Sequence, residues 1–301
     1  MRPLLRPGTH VLRRADGSLQ LGLDPARAIV VDARPELRAG LLDGSADCHD
    51  RVVSQLDSHG LLVDERVLMP LIGLSPPEGR RGSRLPRATG AALARDAGPD
   101  AARRVTTRSG SRVTVMGFGH PDGAELVAQL GDLLTRCGLR QERPRSTAAP
   151  STRRRHGRLG VLLGVGEPDR ELADPWMREQ TPYAVVRLTE GRAVVGPFVV
   201  PGRTACLRCV DAHHTDADHE WPLLVRQYAA ATSRDRADGV PEPVDPALAA
   251  LAVAWAARDL TAYVDGVRPS SWSSTLALDH DLATLETRSW LRHPECGCGW
   301  A

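Results

Sequence analysis

The chain has 301 residues, 42% of them apolar and 25% charged, with a formal charge of +2 from 39 basic and 37 acidic side chains. That balance supports a sizeable core in one large domain or two unequal ones, and it excludes collagen-like, mucin-like and fully disordered classes. Near-neutral charge gives no global pull toward nucleic acid, and six cysteines are too few for a disulfide scaffold. No run of about 18 apolar residues occurs and the start carries no signal-type apolar run, so no membrane span is expected and a cytoplasmic location is the default.

The first elements are short. Residues 9–14 and 18–23 alternate around Ala15-Asp16-Gly17, a hairpin cue. Ala28–Val31 supplies a third strand, and Pro35 opens a helical stretch to about Leu42. A second helix is expected over Cys48–Ser58, with Val52, Val53 and Leu56 on its apolar face, and Leu61–Val63 returns as a strand. Residues 66–112 change character: ten arginines stand against one Glu and two Asp. An exposed basic linker or accessory segment is the expected reading, with an acidic partner as the functional one. Nucleic acid is not expected there, because stacking aromatics and a recognition helix are missing.

From Val113 the order becomes strand, helix, strand, helix, strand, which argues an α/β layer with a largely parallel sheet. The strands are read at 113–119, 159–165, 183–188 and 192–200, with helices near 123–137 and 169–180. Residues 213–245 read as polar and irregular apart from a helix at 221–230. Pro246–Asp265 reads as a helix with Leu251, Trp255 and Leu260 on its apolar surface, and 272–279 with 282–288 as a strand pair.

Two local patterns carry chemistry. Cys206-Leu-Arg-Cys209 can wrap a cation as a chelate turn, and Cys296-Gly-Cys298 supplies two more sulfurs. Four thiolates would close a tetrahedral structural site, zinc being the expected ion. A mixed site using His213 or His293, bound iron and a redox dithiol stay open. Cys48 and Cys137 are expected as small buried apolar groups on helices, and the Asp211–His219 stretch as an exposed polar loop. The second pattern is Gly117-Phe-Gly119-His-Pro-Asp-Gly123, a strand running through glycines into a helix. A dinucleotide turn needs glycine at 122, where this chain has Asp122 after Pro121, so Gly117, Gly119 and Gly123 are read as a vestigial nucleotide turn that packs helix against sheet.

Val195-Gly-Pro-Phe-Val-Val-Pro-Gly-Arg-Thr-Ala-Cys206-Leu-Arg-Cys209 and His293-Pro-Glu-Cys296-Gly-Cys298, with the small N-terminal unit, resemble the ThiF/E1-like family. More narrowly, they resemble the leader-peptide-binding partner proteins of azole-forming (TOMM) peptide biosynthesis. The resemblance implies a winged-helix-like leader-peptide recognition domain at 1–65, the basic segment at 66–112, and at 113–301 a reduced E1-like, Rossmann-type domain with structural Zn2+ at Cys206, Cys209, Cys296 and Cys298. It further implies a non-catalytic scaffold, without catalytic residues and without ATP. This scaffold delivers a precursor peptide to a YcaO-type azoline-forming cyclodehydratase, as a homodimer. An incoming leader can add as a strand beside residues 28–32 and helix 48–58, which makes Arg27, Ile29, Val31, Arg34, Arg51, Val52, Gln55 and Leu56 the candidate peptide contacts. Two other functions compete: ATP-dependent adenylation of a peptide carboxylate by the E1-like domain, and winged-helix binding of nucleic acid.

Overall fold

Asp16 makes the first hairpin: its Oδ1 accepts from the Ser18 amide at 3.0 Å and the Ser18 hydroxyl at 2.6 Å, and Gly17 takes φ +86°. The strands that follow from it, and everything below, come from a computed structural model. It describes residues 2–32, 35–43, 45–47, 50–73, 85–142, 157–234, 236–282 and 284–298. Arg34, Cys48 and the 74–84 part of the basic segment lie outside the described residues. The chain divides into two compact units, Met1–Thr106 and Thr107–Ala301.

In the first unit, β1 (Pro3–Leu5) precedes the hairpin of β2 (Val11–Arg13) and β3 (Leu19–Leu21), and β4 (Ile29–Val31) pairs antiparallel with β3. Two helices follow, α1 (Pro35–Asp43) and α2 (Arg51–Ser58), and then β5 (Leu62–Asp64), which pairs antiparallel with β1. The period-2 pattern turns Val11, Leu19, Leu21 and Val31 inward against Leu41, Val53 and Leu56. α2 starts at Asp50, whose carboxylate accepts from the Val52 amide at 2.7 Å.

The described part of 66–112 is largely helical: α3 (Glu65–Leu71), α4 (Arg87–Ala97) and α5 (Ala101–Gly110). Leu68, Leu71, Leu93, Ala94 and Ala101 form a second small core here. Gly90 lets α3 and α4 meet closely, since a Cβ there would lie 2.2 Å from the Leu71 carbonyl oxygen.

The second unit is built on one seven-stranded sheet. Its elements are β6 (Arg112–Gly119), α6 (Ala124–Arg136), β7 (Arg140–Glu142), β8 (Arg158–Val165), α7 (Asp174–Arg178), β9 (Tyr183–Thr189) and β10 (Arg192–Val199). Then come α8 (Leu207–Ala217), α9 (Trp221–Ala231), α10 (Pro246–Val264), β11 (Ser274–Leu278) and β12 (Leu285–Ser289). The order is β12-β11-β10-β9-β8-β6-β7. β7, β6, β8 and β9 run parallel, whereas the β9–β10, β10–β11 and β11–β12 pairs are antiparallel. The sheet is therefore mixed rather than largely parallel, because β9 turns straight into β10 at Glu190-Gly191 with no helical crossover. The fold class is α/β and Rossmann-like.

Leucines four apart on α6 (Leu126, Leu130, Leu134) face one side of the sheet core. α10 faces it with Leu248, Ala252, Ala256 and Leu260, small residues that allow close approach. The helix phase differs from the sequence expectation: Leu251 is 40% exposed, Trp255 is half-buried and only Leu260 is buried. α10 is also the one helix among the described residues long and apolar enough to cross a membrane, with half of that stretch buried in the protein interior. Its Asp259 is buried and saturated: Oδ1 accepts from the Ser270 amide and hydroxyl at 2.8 Å each, and Oδ2 from the Ser271 amide at 2.9 Å and the Ser271 hydroxyl.

At the carboxyl ends of β6 and β8 the strands touch through glycine. A Cβ on Gly164 would lie 2.1 Å from the Phe118 carbonyl oxygen, and one on Gly119 1.7 Å from that of Val165. Both obstacles are backbone, so neither can swing aside. Gly164→Ala is expected to destabilise the protein by about 2 kcal/mol, read as a lower urea midpoint at an unchanged m-value.

Candidate functional site

The turn after β10 is fixed first. The Val200 amide donates to Thr204 Oγ1 at 2.7 Å and the Ala205 amide to Ser273 Oγ at 2.9 Å. Cys206 then caps α8, and its carbonyl accepts from the Cys209 amide at 3.0 Å. The tail is fixed against the same helix. His213 Nε2 donates to the Leu291 carbonyl at 2.9 Å, and His293 pairs through Nε2 with Asp216 at 3.0 Å. His293 Nδ1 accepts from the Glu295 amide at 3.2 Å and caps a short turn over Pro294–Cys296, after which Gly297 takes φ +72°. That left-handed residue folds the chain back so that Cys298 follows Cys296 into one cluster.

Cys206, Cys209, Cys296 and Cys298 lie with all four sulfurs within 4.8 Å of one another. Neighbouring sulfurs are 3.8 Å (Cys206–Cys209), 3.5 Å (Cys206–Cys296) and 3.4 Å (Cys209–Cys298) apart. Bonds of about 2.3 Å to a tetrahedral ion place thiolates about 3.8 Å apart, so the donor set fits one soft cation. The thiols perturb one another: the hydrogen bond from Cys206 holds Cys209 far below the usual thiol range and pushes Cys206 far above it. Cys296 is lowered by its contact with Cys206 but raised more, in sum, by Cys209 and burial, and is pushed up to about 12. A bound cation resolves this competition by displacing the protons.

His213 and His293 brace the cluster from outside it. They also approach Asp216 closely enough to form a second potential donor group, in which His213 and Asp216 stand on α8, not in the polar loop expected from sequence, and His293 comes from the tail. Cys137 is half-buried at the end of α6.

Beside the cysteines a cleft of about 1080 Å3 opens at the carboxyl ends of β6 and β8. This is where the connections diverge: β6 continues through α6 to β7 on one side, while β8 lies on its other side. Gly117 and Gly119 line the cleft, together with Arg170, Arg208, Asp211 and Arg226. Gly123 is buried, 3.5 Å from Gly164 at its Cβ position. The glycines at 119 and 164 serve close contact between the two strands. Glu142, at the end of the described part of β7, pairs with Thr114 in the register and is held by Arg112 at 3.2 Å and Arg158 at 3.7 Å.

The cleft's charge is organised by an ion network that sequence reasoning missed. Arg170 grips Asp211 with two bonds, 2.7 and 2.9 Å, and Glu167 at 2.9 Å. Glu167 also accepts from Arg187 at 2.7 Å, and Asp211 from Trp221 Nε1 at 3.0 Å. Burial opposes charge on both partners, yet Arg170 is held protonated by Asp211 and Glu167, and Asp211 is held below the usual carboxylate range by Arg170. The available signal was positional: Glu167 and Arg170 follow a strand that ends at the switch point.

The candidate peptide contacts belong to the first unit. Arg27 is exposed and 3.7 Å from Asp24, while Arg51 and Gln55 are exposed on α2. Ile29 and Val52 are half-buried, and Val31 and Leu56 are buried in the core. Val30 and Leu12 are the exposed apolar residues of the same sheet.

These features define a Rossmann-like α/β fold with a four-cysteine cluster. No protein-family model and no curated protein matches the sequence. Among solved structures, the fold is similar to that of the heterocyclase TruD, at 18% identity and a TM-score of 0.66 over 99% of this chain and 43% of TruD. It is similar to Escherichia coli MccB with MccA, at 12% identity and a TM-score of 0.60 over the whole of both chains. It is also similar to E. coli MccB with ATP, at 13% identity and a TM-score of 0.58 over 99% of this chain and all of MccB. The chain thus spans less than half the length of the heterocyclases and the full length of MccB.

Three linked expectations are corrected by these likenesses: a non-catalytic scaffold, a non-enzyme, and no role for ATP. A protein of the same fold and length is recorded with ATP, and another is a heterocyclase. The physical reason is local. The glycine turn alone does not decide the matter, because the cleft beside it is open and carries arginines from α8, α9 and the loop after β8 among five carboxylates.

Proposed function

We propose that the chain is an ATP-dependent activating enzyme of the E1-like kind acting on a peptide carboxylate. The observation that carries this is the open cleft at the switch point of the sheet, lined by three arginines and five carboxylates and of a volume that admits a nucleotide and a peptide end together. Arg208 of α8 and Arg226 of α9 would meet phosphate charge, while Arg170 holds the cleft's carboxylates in place. The carboxylate oxygen attacks the α-phosphorus, the α–β bond breaks and pyrophosphate leaves, which gives an acyl adenylate. Zinc held by Cys206, Cys209, Cys296 and Cys298 is structural in this reading, since four thiolates leave no open position for chemistry.

The first unit serves as the winged-helix-like leader-peptide clamp. β4 is an edge strand of its sheet, with no second strand partner among the described residues and Val30 exposed on it, where an extended peptide would add. Val31 and Leu56 lie in the core of the same unit, and Arg27, Arg51 and Gln55 are exposed on it as further candidate contacts. The precursor leader peptide, a YcaO-type cyclodehydratase and a second copy of the chain are the proposed partners; the likeness to part of a longer heterocyclase supports the second. The test is peptide-dependent ATP–pyrophosphate exchange by the purified full chain with magnesium. Exchange that requires the precursor is expected. Absence of exchange with the precursor, whether or not the partner is added, overturns the enzymatic reading.

A further inference from the structure

Behind the cleft lies a smaller cavity of about 170 Å3, and Arg170 and Asp211 line both. Their ion pair is therefore a shared wall. The small cavity is floored by the sheet, through Arg187 of β9, Arg192 of β10, Ala277 of β11 and Arg288 of β12, and is walled by Trp221 and Trp290. It is below the roughly 300–1,000 Å3 of sites that take whole drug-sized ligands, and suits one small group.

Four arginines, Arg170, Arg187, Arg192 and Arg288, line it against two carboxylates, Asp211 and Glu286. Arg187 is only 9% exposed, and its Nε has no hydrogen-bond partner although its terminal nitrogen reaches Glu167. Arg192 is better compensated: NH2 bonds Glu286 at 2.7 Å and Nε lies 3.7 Å from Asp279. Arg288 lies 4.0 Å over the Trp290 ring and has no carboxylate within ion-pair distance among the described residues. On the acceptor side, both oxygens of Asp211 are taken by Arg170 and Trp221, and Thr275 Oγ1 by Trp290 Nε1 at 3.0 Å. A buried N–H without a partner costs free energy that an oxyanion recovers. His214, stacked on Trp221, is held below the usual imidazole range first by burial and then by Arg288, consistent with a positive potential there.

We propose that this chamber is an oxyanion subsite of the cleft, taking a carboxylate or a phosphate group. The inference rests on the ATP-dependent reading, in which a carboxylate enters and pyrophosphate leaves. The chemistry is common to both, so the experiment separates the sources.

Pyrophosphate is titrated into the full chain without ATP, followed by calorimetry and by tryptophan fluorescence, which Trp221 and Trp290 report. Wild-type protein is expected to bind it at one site. Arg288→Gln should weaken binding about tenfold or more. Ala277→Glu, which places a carboxylate among the arginines, should abolish it. Arg288 is exposed on an edge strand, so its variant keeps the fold testable. A short acetylated peptide with a free carboxyl end then competes, beside its C-terminal amide. Displacement by the acid alone assigns the chamber to the substrate carboxylate, and no displacement assigns it to phosphate. Equal affinities in wild type and both variants, or no binding of either anion, overturns the subsite. Exchange activity without Arg288-dependent binding sinks the subsite alone, whereas Arg288-dependent binding without exchange sinks only the enzymatic reading.

Discussion

Cys206→Ser is expected to yield a chain that retains no stoichiometric zinc and is insoluble or melts far below the wild type. Cys206 sits at the centre of the cluster, 3.8 Å from Cys209 and 3.5 Å from Cys296, and is buried. A serine hydroxyl is not ionised near neutral pH and is a poor ligand for a soft site. The remaining three sulfurs then lose the cation that would neutralise them. Apparent binding energies of structural zinc sites are about 10–16 kcal/mol, and much of this is folding energy. Losing even part of it exceeds the margin of an ordinary domain, about 5–15 kcal/mol. The consequence is not confined to the knuckle, because residues 296–298 are drawn onto α8 from the far end of the chain, under Trp290 and beside Tyr183. Elemental analysis should give one zinc per wild-type chain, and a chelator should reproduce the variant's melting. A metal-free wild type with unchanged stability would sink the zinc assignment.

Arg108→Met should cost about 3–5 kcal/mol. The guanidinium and the Asp265 carboxylate are both nearly inaccessible and meet through two bonds of 2.6 and 2.9 Å. NH1 also donates to the Cys137 carbonyl at 3.2 Å. One side chain of α5 thus ties together the ends of α10 and α6, the two helices that cover the sheet core. Methionine fills the volume but removes both charged hydrogen bonds that the guanidinium makes to the buried carboxylate. The double variant Arg108→Met with Asp265→Leu should recover most of the loss, because no charge then remains buried. Denaturant unfolding of the single and double variants measures both. A single variant within 1 kcal/mol of the wild type would show that water reaches the pair.

The elements most legible in the sequence were those whose burial is local. The hairpin at Asp16-Gly17, the strands at 113–119 and 159–165 and the alanine-rich helix from Pro246 all carry a period or a turn residue that needs no distant partner to be read. Helices α4 and α5 were hidden by arginine: their leucines and alanines are spaced for burial, but the composition around them reads as a linker. Helix α8 was half-hidden in the same way, because His213, Asp216 and their neighbours read as a polar loop until the tail covers one side of them.

The cysteine cluster lies between these cases. The residue types and the CxxC and CxC spacings are properties of the sequence, and thiolate chemistry follows from them. Whether the two pairs meet depended on β11 and β12 returning alongside β10 and on Gly297 turning the tail inward. The cleft was not legible at all. Glu167, Arg170, Arg187 and Asp211 are scattered over 45 positions and follow no motif. They converge because parallel strands all end at one edge of a sheet, and neighbours across that edge come from remote parts of the chain. Sequence by itself determined the α/β class, the soft-metal donor set and the strands and helices with local periodicity, since these rest on side-chain chemistry and backbone preference. Tertiary structure alone decided the sheet's mixed direction, the meeting of the four sulfurs, and the arginine-lined cleft with its smaller chamber, since each is a property of distance between residues far apart in the chain.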